Sequence, residues 1–83
     1  MVLNFHTDAG HGWLEVDKSE LIRLRIADKV SPYSYMRGEK VYLEEDCDAS
    51  LYIEAIKAEG QGFKFAELYR DPSPIRNYQQ FIA

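Results

Sequence analysis

Cysteine is nearly absent from this chain: Cys47 stands alone among 83 residues. No disulfide can close within one copy, and a reducing compartment suits the sequence better than secretion. Long apolar runs are missing too. Nothing approaches the roughly 20 residues of a membrane span, and the opening MVLNFHTDAG lacks the basic stretch and apolar core of a secretory leader. The expectation is a cytoplasmic protein with no membrane partner. Basic clusters are also missing. The ten Lys and Arg residues are scattered, against fourteen Asp and Glu, for a net charge of −4. Nucleic-acid binders concentrate cations to displace the counterions of phosphates, so direct binding to DNA or RNA is not expected. The short GHG at 10–12 lacks the downstream glycine, lysine and hydroxyl residue of a phosphate-cradling loop. No cofactor is expected.

What is present reads as one domain over 1–83, with a core over 1–71 and a docked tail over 72–83. Two cores would leave too little chain for either to close. VLNF at 2–5 suits a strand, and DAGHG at 8–12 a turn, with Gly10 and Gly12 allowing positive φ and Asp8 bonding its own backbone. WLEV returns as a second strand, with Trp13 and Glu15 on one face and Leu14 and Val16 on the other. DKSELIRLRI opens a helix, with Asp17 and Glu20 in capping-box positions. VSPYSYMRGEKVYLEE reads as a hairpin turning at Gly38. A three-residue loop would put Tyr33 and Tyr35 on a face with Val41 and Leu43, and another loop length would exchange one arm's partners. DCDASLYIEAIKAEG is the clearest helix, capped by Asp46 or Asp48 and stopped by Gly60. FKFAELY forms a last strand. In the tail, Ile75, Tyr78, Phe81 and Ile82 indicate docking. The expected fold is α+β and two-layered, in the order β-β-α-β-β-α-β, with two helices on one face of an antiparallel or mixed sheet.

Three groupings bear on function. His6, Asp8 and His11 are weak candidates for a metal, because His-x4-His matches no standard site once glycines interrupt it. Cys47 beside a histidine is a conceivable nucleophile, but its acidic neighbours oppose thiolate formation; a buried, inert thiol near Tyr52 is the plainer reading. Together these four define one alternative, a small metal- or cysteine-dependent enzyme. The third grouping is an interaction surface. Glu44, Glu45 and Asp46 make an acidic corner suited to a protein with a basic patch. Tyr33, Tyr35 and Tyr42 supply aromatic anchors, and His11 and Trp13 a rigid loop beside them. A non-enzymatic protein-binding module is the leading reading; a structural or oligomeric unit, pairing through edge strands, is the other alternative.

HTDAGHGWLEV, VSPYSY, VYLEEDCDASL and SPIRNY together resemble a family of short proteins encoded in bacterial genomes, phages and plasmids. The likeness covers most of the chain. It implies no particular activity, but it does imply a mobile-element setting. Small acidic proteins there act by binding host factors, inhibitors of CRISPR-type defence complexes included. Members of that family tend to carry glycine before Ile-Ala-Asp. Arg25 in that place is expected to lengthen the first helix.

Overall fold

The computed structural model describes residues 1–83. Its centre is a six-stranded mixed sheet: β1 (Val2–Thr7), β2 (Gly12–Asp17), β3 (Tyr35–Arg37), β4 (Lys40–Glu44), β5 (Lys64–Tyr69) and β6 (Gln79–Gln80), in the spatial order β5-β1-β2-β4-β3-β6. Two helices complete it, α1 (Lys18–Arg23) and α2 (Ala49–Ala58). The α+β class holds, and the element order differs from expectation by a sixth strand and two 3-10 turns, at Ala27–Lys29 and Pro74–Asn77. β5 lies parallel to β1 while every other pair is antiparallel. The helix α2 makes the crossover that a parallel neighbour requires.

Alternation along β2 divides the core. Leu14 and Val16 join Leu3, Val41 and Leu43 on one face, where Leu21 of α1 and Ala49, Tyr52 and Ile56 of α2 pack on them. Trp13 faces the other way and packs with Tyr42 and Ile75. Phe81 reaches the helix-side core, whereas Ile75 belongs to the Trp13 side. The chain from 73 to 81 therefore passes from one face to the other around the β3 edge, where β6 pairs with β3. The second face is not left bare, so the two-layer description misses a partial third layer.

Helix ends follow backbone logic more than side-chain capping. Asp17 and Asp48 stand at the two N-caps, yet neither carboxylate caps its helix; Asp17 pairs with Lys40 instead, at 2.6 Å. The Asp17–Glu20 capping box does not form, since Glu20 holds Arg23. At the C-terminus of α2, Gly60 (φ +77°) closes a Schellman motif, with Gln61 N–H bonding Ile56 O at 3.0 Å and Gly60 N–H bonding Lys57 O at 2.9 Å. The same motif ends α1 through Ile26 N–H to Leu21 O and Arg25 N–H to Ile22 O, both 3.0 Å. Here the left-handed position falls to Arg25, at φ +59°. Arg25 thus stops the helix rather than lengthening it, and it takes the conformation that glycine adopts freely.

The hairpin register is settled by a two-residue turn. Arg37 faces Lys40 across Gly38 (φ +59°) and Glu39, so Tyr35 lies opposite Tyr42, and Met36 opposite Val41. Glycine takes the first central position, as in a type II′ turn. Tyr33 precedes the strand and is exposed.

Candidate functional site

The β1–β2 loop is held by Asp8. Its Oδ1 accepts from Gly10 N–H (3.0 Å) and His11 N–H (2.9 Å), an Asx-type turn that follows from the short side chain. The tail then locks the loop from outside. Arg76 Nε donates to Asp8 Oδ2 at 2.6 Å, Arg76 Nη2 to Oδ1 at 3.0 Å, and Ser73 N–H to Oδ2 at 3.2 Å. The Arg76 guanidinium holds the Asp8 carboxyl far below the usual carboxylate range, helped by the backbone donors and opposed by burial. Neither loop glycine has positive φ. Gly12 is required by space: a Cβ there would meet the Phe5 ring at 2.7 Å. At Gly10, a Cβ would approach Arg76 Nη2 to 3.1 Å.

Beside this loop, His11, Trp13, Tyr33, Tyr35, Glu44 and Arg76 line a recess of about 120 Å3. Its floor is Trp13, 2% exposed, with Nε1 buried and without a hydrogen-bond partner. Arg76 lies over that ring, 5.5 Å from guanidinium carbon to centroid. Tyr35 meets Trp13 edge-on at 6.4 Å, and His11 lies tilted to it at 5.9 Å. These separations are typical of attractive aromatic pairs. Tyr33 stands at the mouth, 68% exposed.

Glu44 is divided between two tasks. Oε2 accepts from Asp46 N–H and Cys47 N–H, both 2.8 Å, and so fixes the turn into α2. Oε1 lies 3.7 Å from His11 Nδ1 and keeps acceptor capacity on the recess side. The acidic run is therefore not one exposed patch. Glu44 and Asp48 are buried, while Glu45, Asp46 and Cys47 are exposed. Asp48 accepts from Ser31 N–H (3.0 Å), Ser31 Oγ (2.7 Å) and Ser34 Oγ, and Ser34 Oγ in turn accepts from Glu44 N–H at 2.9 Å. This relay ties the 31–34 turn to the start of α2.

Of the residues named from sequence, five line the recess: His11, Trp13, Tyr33, Tyr35 and Glu44. Glu45 and Asp46 follow Glu44 directly and face solvent. Tyr42 does not line it. It is buried on the same sheet face, against Tyr78 (5.2 Å) and edge-on to His6 (5.6 Å). Arg76 and the serine relay are not among the residues that local sequence singles out, although Arg76 is the only charged residue of the tail 72–83.

The enzyme candidates are dispersed. His6 Nε2 bonds Glu15 Oε1 at 2.8 Å, Asp8 is committed to Arg76, and His11 sits by Trp13 and Glu44. No three His, Cys, Asp or Glu side chains gather where they could hold a metal ion. Cys47 is exposed, contrary to the buried packing expected of it. Hydrogen bonding to Glu44, then burial, then the charges of Glu44, Asp48 and Asp46, push its thiol above the ordinary cysteine range. That direction opposes nucleophilic use at neutral pH. No helix is long and apolar enough to cross a membrane.

The chain matches no protein-family model, no curated protein and no solved structure.

Proposed function

We propose that the chain is a non-enzymatic protein-binding module whose contact site is the recess at His11, Trp13, Tyr33, Tyr35, Glu44 and Arg76, with Glu45 and Asp46 beside it. The observation that carries this reading is the convergence of exposed Tyr33 with half-buried Tyr35 around a buried Glu44 carboxylate, whose Oε2 is taken up by two backbone N–H groups while Oε1 stands 3.7 Å from His11 Nδ1. An aromatic wall beside a carboxylate receives a cationic side chain by stacking and by a charge-assisted hydrogen bond. The recess volume of about 120 Å3 suits one such side chain rather than a cofactor, whose pockets run to roughly 300 Å3 or more. The partner is a protein presenting Lys or Arg on a basic patch, drawn in by Glu45 and Asp46. In the mobile-element setting that the sequence resemblance implies, that partner is a host factor, and the module inhibits or regulates it; a CRISPR-type defence complex is the sharpest case.

The test is capture of host proteins on the immobilised chain. Glu45→Lys with Asp46→Lys, and separately Tyr33→Ala, are expected to abolish capture of the same protein without lowering the melting temperature, because all three side chains are exposed. Capture should also weaken with added salt. Equal capture by wild type and both variants would overturn the reading. Glu44→Lys is a poorer probe, since it breaks the turn into α2 as well.

A further inference from the structure

β5 is the only long open edge of the sheet. The opposite edge is β6, two residues long, but β5 offers six residues in register with β1 from Val2–Lys64 to Thr7–Tyr69 without a bulge. Natural edges are shielded by proline, bulges, short length or a covering segment. β5 has none of these, only the charges of Lys64 at its start and Glu67 along it. Phe65, Leu68 and Tyr69 are 51%, 44% and 63% exposed along it.

The backbone polarity of that edge is fixed by its inner bonds. Lys64 N–H bonds Met1 O at 3.0 Å and Arg70 N–H bonds Thr7 O at 2.9 Å. Even-numbered residues therefore point their backbone groups at β1, and Phe65, Glu67 and Tyr69 direct theirs outward. We propose that a second copy of this chain pairs with this edge, β5 against β5 antiparallel, about a two-fold axis at Ala66.

Charge selects that register. An axis at Glu67 would set Glu67 against the partner's Glu67 and Lys64 against the partner's Arg70, both like-charge pairs that oppose pairing. An axis at Ala66 sets Phe65 against the partner's Glu67 and Lys64 against the partner's Leu68, so no like charges face each other. Phe65 and the partner's Glu67 then exchange both backbone hydrogen bonds, and the symmetric pair does the same. Ala66 faces the partner's Ala66 at a non-hydrogen-bonded position, where small side chains permit the closest approach. Registers slid further in either direction shorten the overlap. The pairing uses one self-complementary patch and closes on itself, as a two-fold dimer must. It leaves the recess beside Trp13 free.

Sedimentation and disulfide trapping test this together. The wild-type mass should rise from one chain to two with concentration, and Phe65→Glu, which sets a second carboxylate against the partner's Glu67, should weaken association at least tenfold with an unchanged circular dichroism spectrum. In a Cys47→Ser background, Ala66→Cys should form a disulfide-linked dimer at least tenfold faster than Leu68→Cys, because position 66 lies on the axis and position 68 does not. A one-chain mass at every concentration up to the millimolar range would overturn the proposal. So would a dimer indifferent to Phe65→Glu, or coupling at 68 as fast as at 66.

Discussion

Arg76 Nε donates to Asp8 Oδ2 at 2.6 Å across a sequence separation of 68 residues. The same guanidinium lies over Trp13. One side chain thus ties the C-terminal segment, the β1–β2 loop and the floor of the recess into a single unit. The Asp8 side chain is fully enclosed by this arrangement.

This pair makes stability depend on acid. The folded Asp8 carboxyl titrates well below its unfolded value of about 4. Its contribution is fully present above that unfolded value and is lost as pH falls below it towards the depressed one. Urea midpoints measured from about pH 5 down to about pH 2 should therefore fall for wild type and fall less steeply for Asp8→Asn. The variant should also start lower, below Asp28→Asn as an exposed control. Parallel curves for wild type and Asp8→Asn would remove the clasp from the account.

Gly12 is held by the Phe5 ring. Gly12→Ala should destabilise by about 1–3 kcal/mol through overpacking. Phe5→Leu should recover part of that loss in the double variant, because the ring is what a Cβ meets. Additive losses would show that the contact is not the cause.

Arg25 occupies a left-handed C′ position at φ +59°. Arg25→Gly should stabilise by about 1 kcal/mol, from relief of the Cβ clash less the entropy of a glycine. In a domain this small that is a rise of roughly 4–8 °C in Tm. Arg25→Val, β-branched, should lower it. A fall with glycine would mean that the Arg25 side chain contributes more than its backbone costs.

Ile75, 1% exposed, plugs the second face against Trp13 and Tyr42. Ile75→Ala should cost about 2–5 kcal/mol and shift the fluorescence of the sole tryptophan to the red as water reaches it. An unshifted spectrum would place the tail's contribution elsewhere.

Much of this arrangement was legible in local sequence. The opposite facing of Trp13 and Leu14 follows from strand alternation, and the Gly60 stop from helix chemistry. Five of the residues named from sequence come together at one recess. What was not legible depends on distant chain. Asp17 had an orphan helix N-terminus within reach, but Lys40 on the neighbouring strand competed successfully for it. The β3–β4 register turned on one residue of loop length, which composition does not fix. Local sequence suggests a torsional role for the loop glycines, whereas Gly12 is steric, because Phe5 reaches it only once β1 and β2 have paired. Asp8 looked like a ligand because Arg76, its partner, lies near the other end of the chain.

The proposed partner is a basic host protein that contacts the molecule at this recess. Site-specific photocrosslinking tests it most directly, with a photoreactive phenylalanine analogue replacing Tyr33 and, as a control, Ile22, which is also exposed but lies on α1. One host protein should be captured through position 33, not through position 22, and should be lost when Glu45→Lys and Asp46→Lys are added. Capture through position 22 alone, or equally through both positions, would contradict the account.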